Sequence, residues 1–156
     1  MLRPLLISAG CCGLFSTLFA QPTNRNEPID TLETVVVKAF EQNRKLIDVG
    51  AAVVVVGKST LNRFQNFSLV SALNTQPGVR MEERSPGSYR LNIRGSSLRA
   101  PFGVRNVKVY YNDIPYTTPG GDSYFNQFGF NGISSIEVIK GPGSSLYGAG
   151  TGGVLL

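Results

Sequence analysis

The sequence predicts an α+β fold of short strands with one or two short helices. Three observations carry that expectation. Short β-branched or alternating runs recur at residues 51–56, 79–82, 89–94, 107–111 and 133–140, and such runs suit a pleated, half-buried surface. Apolar residues at helical spacing occur between Leu61 and Leu73, the only long stretch with that period. Loops rich in Gly, Pro, Asn and Asp separate the strands.

Taken in order, residues 1–20 are unlike the rest. Arg3 gives a short basic start, Leu5 to Phe19 is apolar or small apart from Ser8, Ser16 and Thr17, and Ala20 precedes a polar stretch. This is the pattern of a secretory signal peptide cleaved after Ala20. A membrane-spanning helix needs about 20 mainly apolar residues, and this run is shorter and carries Gly10 and Gly13. A lipoprotein signal ending at Cys11 or Cys12 fits less well, because the apolar run before either cysteine is short. Residues 21–30 are polar and broken by Pro22 and Pro28, which predicts an unstructured lead-in.

Residues 32–39 form a short β-branched run that wants to be extended. It reads either as the first strand of the domain or as a strand donated to a partner, with backbone hydrogen bonds giving affinity. Residues 51–56, closed by Gly57, read as the first core strand. Ser59 or Thr60 can cap a helix carrying Leu61, Phe64 and 68–73, and Pro77-Gly78 ends it, since the residue before Pro leaves the helical region. Strands at 79–82, 89–94 and 107–111 alternate with loops at 83–88, 95–105 and 115–132. The last part runs from the alternating Ile133–Lys140 stretch through Gly141-Pro142 into a Gly-rich segment with one aromatic, Tyr147, and then Gly152-Gly153-Val154. That composition says backbone packed against backbone, with side chains removed where they would collide.

Composition narrows the function classes. The chain carries no histidine, and both cysteines fall in the segment expected to be removed. Disulfides, thiol catalysis and the usual zinc sites are therefore not expected, and no cofactor is. Net charge is +5, but the basic residues are spread from Arg25 to Lys140 without a dense run, so no nucleic-acid partner is expected. Gly148-Ala149-Gly150-Thr151-Gly152-Gly153 satisfies the letters of a dinucleotide fingerprint, yet that chemistry needs a following helix and a later acid. Gly143 to Gly148 lacks the Lys and Ser/Thr of a phosphate loop, and no Gly-x-Ser-x-Gly elbow exists. An enzyme is not expected.

Ile136-Glu137-Val138, the basic Lys140, Gly141-Pro142, Leu146-Tyr147-Gly148 and Gly152-Gly153-Val154 together resemble the end of the plug domain of TonB-dependent outer-membrane receptors. Leu73 followed by Pro77-Gly78-Val79 resembles the helix end before the first plug strands. Asn112-Asp113-Ile114-Pro115 stands where plugs read Asp-Gly-Val-Pro. Glu33-Thr34-Val35-Val36-Val37 resembles a TonB box. The resemblance extends over residues 32–156 and implies three regions: signal peptide 1–20, a flexible periplasmic segment 21–46 with the box at 32–39, and the plug at 47–156. The implied fold is a small α+β plug with a mixed sheet of short strands, normally seated in a transmembrane barrel of about 22 strands. Such a barrel needs about 10 residues per strand, so it is expected to lie outside this chain.

What the resemblance implies for function is energy-coupled uptake of a scarce ligand, such as a ferric siderophore, across the cell outer membrane. The C-terminal domain of a TonB protein would pair as a strand with Leu32, Glu33, Thr34, Val35, Val36 and Val37. Arg94 and Lys140 each end a strand beside a glycine. Alone, either reads as a solvated strand end; in the family, two plug arginines there pair with barrel glutamates. Lys140 keeps the charge but lacks the planar fork of arginine. Arg99, Phe102, Tyr116 and Tyr124 sit in turn-rich loops that would face a small ligand, such as a metal chelate, or pack against barrel loops. The alternative from another class is a soluble periplasmic binding or interaction module, or a truncated plug with no transport role.

Overall fold

The computed structural model describes residues 34–64, 68–96 and 103–156. These residues fall in one compact unit. Residues 1–20 read as a signal peptide, Leu32 and Glu33 of the expected box, and the loop residues Arg99 and Phe102 lie outside the described residues.

The centre is a five-stranded mixed sheet. Its strands are β3 (Val53–Gly57), β6 (Val107–Tyr111), β7 (Ile114–Pro115), β8 (Ser135–Lys140) and β9 (Gly153–Leu155), in the order β3-β8-β9-β6-β7. Only β6 and β9 run parallel; the other pairs are antiparallel. A second, two-stranded sheet pairs β4 (Val79–Ser85) with β5 (Ser88–Ile93) in the register Val79↔Ile93, Met81↔Leu91. Two short helices, α1 (Lys58–Arg63) and α2 (Leu69–Leu73), lie between β3 and β4 in the chain. The fold is α+β with a mixed sheet, as the sequence predicts.

Period-two alternation gives the central sheet two apolar faces. Val56, Val107, Val109, Ile136, Val138 and Leu155 join the larger core with Leu61, Leu69, Leu73, Met81, Leu91, Ile93 and Phe125. Their chain neighbours Val53, Ile139 and Val154 face a smaller cluster with Val37, Ala39 and Tyr147. Helices and the β4–β5 hairpin thus cover one face. The other is covered by what precedes β3.

That cover is the first difference from the sequence reading. Residues 34–46, assigned there to a flexible segment, pack with the domain. β1 (Val36–Val37) pairs antiparallel with β2 (Arg44–Lys45), and Leu46 N–H donates to Val35 C=O at 3.0 Å. Burial of Val37 and Ala39 against the sheet supplies the apolar gain that a polar stretch alone lacks. The chain reverses through Phe40 and Glu41, both at positive φ (62° and 56°).

Smaller differences follow from local chemistry. The helix read as starting at Ser59 or Thr60 is two helices. The first starts from Gly57 without a side-chain cap, and the second is capped by Ser68, whose hydroxyl accepts from Val70 N–H at 3.2 Å. Asn74 then closes the strand edge that α2 abuts: its amide accepts from Met81 N–H at 2.7 Å and donates to Met81 C=O at 3.0 Å. Asn112 and Asp113, both at positive φ, make the β6–β7 turn that the sequence assigned to them. The Gly-rich segment contains an unexpected single-turn helix, α3 (Ser144–Tyr147). The glycines after it behave as expected: a Cβ on Gly152 would lie 2.7 Å from Asn106 O, and one on Gly153 would lie 2.5 Å from Ile139 O.

Candidate functional site

Three groups of residues carry the candidate chemistry. The first is the N-terminal segment and its hold on the sheet. β8 places Glu137 on the smaller-cluster face, where it shares its side with Ile139 and ends up only 8% exposed. Its carboxylate accepts from Lys38 N–H at 2.9 and 3.0 Å and from Ala39 N–H at 3.1 Å. Tyr147, at the end of α3, accepts from Phe40 N–H through its hydroxyl at 2.6 Å. Its ring lies 5.9 Å from Phe40 and 5.3 Å from Tyr110, whose hydroxyl donates to Tyr147 C=O at 3.2 Å. Burial pushes the Tyr147 phenol above its ordinary pKa, and the backbone bonds from Phe40 and Glu41 offset part of that rise. Three consecutive N–H groups are therefore satisfied by side chains from two different elements.

The residues read from the sequence as a TonB box divide around this hold. Val35 and Val36 are 47% and 56% exposed, and Thr34 is exposed, whereas Val37 is fully buried. Lys38 Nζ also lies 3.7 Å from Asp113 Oδ2, but both side chains are well exposed and such a pair contributes little.

The second group is a basic corner. Arg94 and Lys140, 46 residues apart in sequence, meet: Arg94 Nη1 donates to Lys140 C=O at 3.2 Å. Lys140 Nζ donates to Pro77 C=O at 2.5 Å, and Arg94 N–H donates to Gly78 C=O at 2.8 Å. Strand β5 ends at Ile93, so Arg94 sits in the following turn at φ 51°, beside Gly95 at φ 81°. Both cations bind backbone carbonyls. Among the described residues, neither has a carboxylate within ion-pair distance.

The third group lies in the loops. Tyr116 stacks on Phe128 with ring centroids 4.2 Å apart, and its hydroxyl donates to Gln127 Oε1 at 2.5 Å. Phe128 also neighbours Tyr111 and Phe125, so Tyr116 belongs to an aromatic cluster that stiffens residues 116–128. Tyr124 packs beside Gly103, where a Cβ would lie 3.1 Å from its ring. Arg105 forks onto Asp122 at 2.6 and 3.3 Å, and Val104 bridges Ser123, tying the two loops at their base. The structure thus sets Tyr116 and Tyr124 on the same braced loop but does not bring them together with the basic corner. A recess of about 80 Å³ lined by Leu69, Tyr111, Phe128, Ile133 and Leu155 opens near this loop. Ligand pockets run from about 300 Å³ upward, so this recess alone is smaller than an ordinary ligand pocket.

Sequence reasoning missed Glu137 and Tyr147 as working residues. The signal for Glu137 was present: it is the one charge between Ile136 and Ile139 in a strand whose two faces are both apolar. For Tyr147 the signal was its isolation in a glycine-rich stretch. Among the described residues no cluster of acids, histidines or cysteines could hold a metal ion.

A small mixed sheet with braced loops on one side and a side-chain-tethered N-terminal strand on the other has the build of a module that works through contacts. Residues 45–154 match the family model of the TonB-dependent Receptor Plug Domain, and the chain belongs to that family. Among curated proteins it is 29% identical over 125 residues to the vitamin B12 transporter BtuB of Vibrio vulnificus, covering 79% of this chain and 20% of that protein. It is likewise 29% identical over 143 residues to the vitamin B12 transporter BtuB of Photobacterium profundum, covering 90% of this chain and 22% of that one. The chain therefore spans about a fifth of the length of these relatives. Among solved structures, the ferric yersiniabactin uptake receptor FyuA from Yersinia pestis aligns over 67% of this chain and 16% of its own, at 21% identity and a TM-score of 0.49.

Proposed function

We propose that this chain is the plug region of an outer-membrane receptor that gates energy-coupled uptake of a scarce ligand. Residues 1–20 would direct export, residues 32–39 would serve as the TonB box on the periplasmic side, and residues 47–156 would fill the pore of a barrel. Family membership supports the general role. The observation that carries the proposal for the box is the division at residue 36. Val35 and Val36 are accessible for a partner strand, while Val37 and Ala39 are buried. A TonB C-terminal domain could begin pairing at the exposed half and must displace the buried half to complete the pairing.

The basic corner supports a seat against a barrel wall. Arg94 and Lys140 converge, point their charges at carbonyls and have no acidic partner among the described residues. Two acids from a barrel would complete them, and Arg94 can take its acid bidentately. The ligand would rest on the loops carrying Arg99, Phe102, Tyr116 and Tyr124. The curated relatives are named as transporters of vitamin B12, itself a large cobalt chelate. A large metal chelate is accordingly the ligand class we assign.

The test is binding of a purified TonB C-terminal domain to the exported protein and to its Val36→Pro variant. Proline removes a backbone donor from the strand that would be read. We expect binding to be lost in the variant while the far-UV spectrum and loop environment stay unchanged. Equal binding by both proteins would end the box assignment.

A further inference from the structure

We propose that Glu137 and Tyr147 form a releasable latch that sets how often residues 36–40 leave the sheet, and that the Glu137 carboxylate is its main element. The proposal deepens the box reading and rests on it for the purpose of release, but its chemistry stands on the contacts alone.

The segment has three kinds of attachment. The apolar one is Val37 and Ala39, both buried in the smaller cluster. The ribbon pairing to β2 is only two residues long and belongs to a sheet separate from the central one, so by itself it does not fasten the segment to that sheet. What fastens the backbone is side chain: Glu137 on Lys38 and Ala39, and Tyr147 on Phe40. Lys38 has right-handed helical angles (φ −85°, ψ −6°), and Phe40 is left-handed (φ 62°, ψ 28°). The Lys38 and Ala39 N–H groups converge on one side, where they meet an anion. Glu137 supplies that anion from the sheet.

The energetics point the same way. Hydrogen bonds to a charged acceptor are about twice as strong as neutral ones. A left-handed Phe and Glu in sequence are disfavoured, so the turn itself opposes the docked form. An attachment made of one carboxylate, one phenol, two small buried side chains and the partly buried Phe40 ring can open without disturbing the helix-covered face. Removing the carboxylate should therefore change local opening and leave the main core closed.

The experiment is residue-resolved amide hydrogen exchange on the full exported protein, its Glu137→Gln variant and its Tyr147→Phe variant. In Glu137→Gln the Lys38 and Ala39 amides should exchange at least about tenfold faster, as expected for loss of a charge-assisted hydrogen bond. Core amides such as Val109 and Met81 should stay within about twofold of the parent, since local and global opening are separate events. In Tyr147→Phe the Phe40 amide should speed up. That second variant keeps the test decisive if Glu137→Gln does not fold. Unchanged exchange at residues 38–40, or a uniform rise across the whole sheet, would overturn the latch. A titration with the TonB domain separates the latch from the box. Apparent affinity should rise by the same factor as local opening if the freed segment is what the partner reads. Faster exchange with no change in affinity would uphold the latch and sink the box reading.

Discussion

Replacing Gly153 by alanine should be among the most damaging single-methyl changes in this protein. Gly153 begins the central strand β9, opposite Lys140 on one side and Val107 on the other. Its φ is 150°, a region that side-chain-bearing residues rarely adopt. A Cβ there would lie 2.5 Å from Ile139 O and 2.9 Å from Ile93 Cδ1. The backbone oxygen cannot move without breaking the β8–β9 ladder. Backbone strain of about 1–3 kcal/mol and overpacking of about 1–3 kcal/mol act together here, for a loss of roughly 2–6 kcal/mol. A domain of this size is stable by about 5–15 kcal/mol, so the variant should fold weakly. Urea unfolding is the assay. With a slope of about 1–3 kcal/mol per M, the midpoint should fall by at least about 0.7 M at unchanged slope. Gly129→Ala is the control, because φ at Gly129 is −79° and a Cβ there meets nothing within 4 Å. Its midpoint should stay near the parent's, within about 0.5 kcal/mol. If Gly153→Ala matches Gly129→Ala, the close approach of backbone to backbone at this point is refuted.

Three further outcomes are expected. Asn74→Ala removes both side-chain bonds to Met81 and leaves a strand-edge N–H and C=O without partners, so urea unfolding should show a loss of about 2–3 kcal/mol. Stability should decline at high pH. Burial raises the Tyr147 and Tyr89 phenols, so the folded state keeps protons that the unfolded state releases. Their contribution is complete below an unfolded pKa of about 10 and is lost as pH rises through the folded values; unfolding midpoints from pH 8 to 11 check the sign, with Tyr147→Phe showing a shallower fall. Arg94→Ala should cost the exported chain less than about 1 kcal/mol, since its side chain is exposed. In a complete receptor it should loosen the plug, read as increased ion leakage through the pore.

What the sequence disclosed and what it hid divide along one physical line. Strands β3, β4, β5, β6 and β8 were legible because their residues alternate or are β-branched, and alternation is decided by two-residue periodicity alone. The turn at Asn112-Asp113 and the stop at Pro77-Gly78 were legible because few residues tolerate those angles. The docking of residues 34–46 was not. Its strands are two residues long, its reversal uses Phe40 and Glu41 at left-handed angles, and its anchor Glu137 is nearly 100 residues away. Nothing local encodes a contact at that distance. The meeting of Arg94 with Lys140 was hidden for the same reason, though each residue was singled out by its neighbouring glycine. Helix α3 was missed because glycine content argues against helix, while a single turn pinned by Tyr147 needs only tertiary packing.

The two faces of the central sheet are held with unequal strength, and that inequality is where structure meets the proposed role. One face carries two helices, a long hairpin and a core of large side chains including Phe125, Leu73, Met81, Leu91 and Ile93. Stripping it exposes most of the apolar surface that folding removes from water, so it opens only with global unfolding. The other face carries a two-residue ribbon whose fully buried side chains are Val37 and Ala39, with Phe40 and Leu46 partly buried beside them, and it is fastened by polar groups to Glu137 and Tyr147. Those polar bonds can be exchanged for water on opening, so each contributes only about 0.5–3 kcal/mol net. Val37 and Ala39 are small, so their exposure costs far less than that of the opposite core. A segment built this way sits at the low end of the stability range of its own domain. In the proposed role it could be drawn out by a partner strand while the central sheet stays folded. Had the segment been anchored by several fully buried large apolar residues, its release and the unfolding of the domain would be one event.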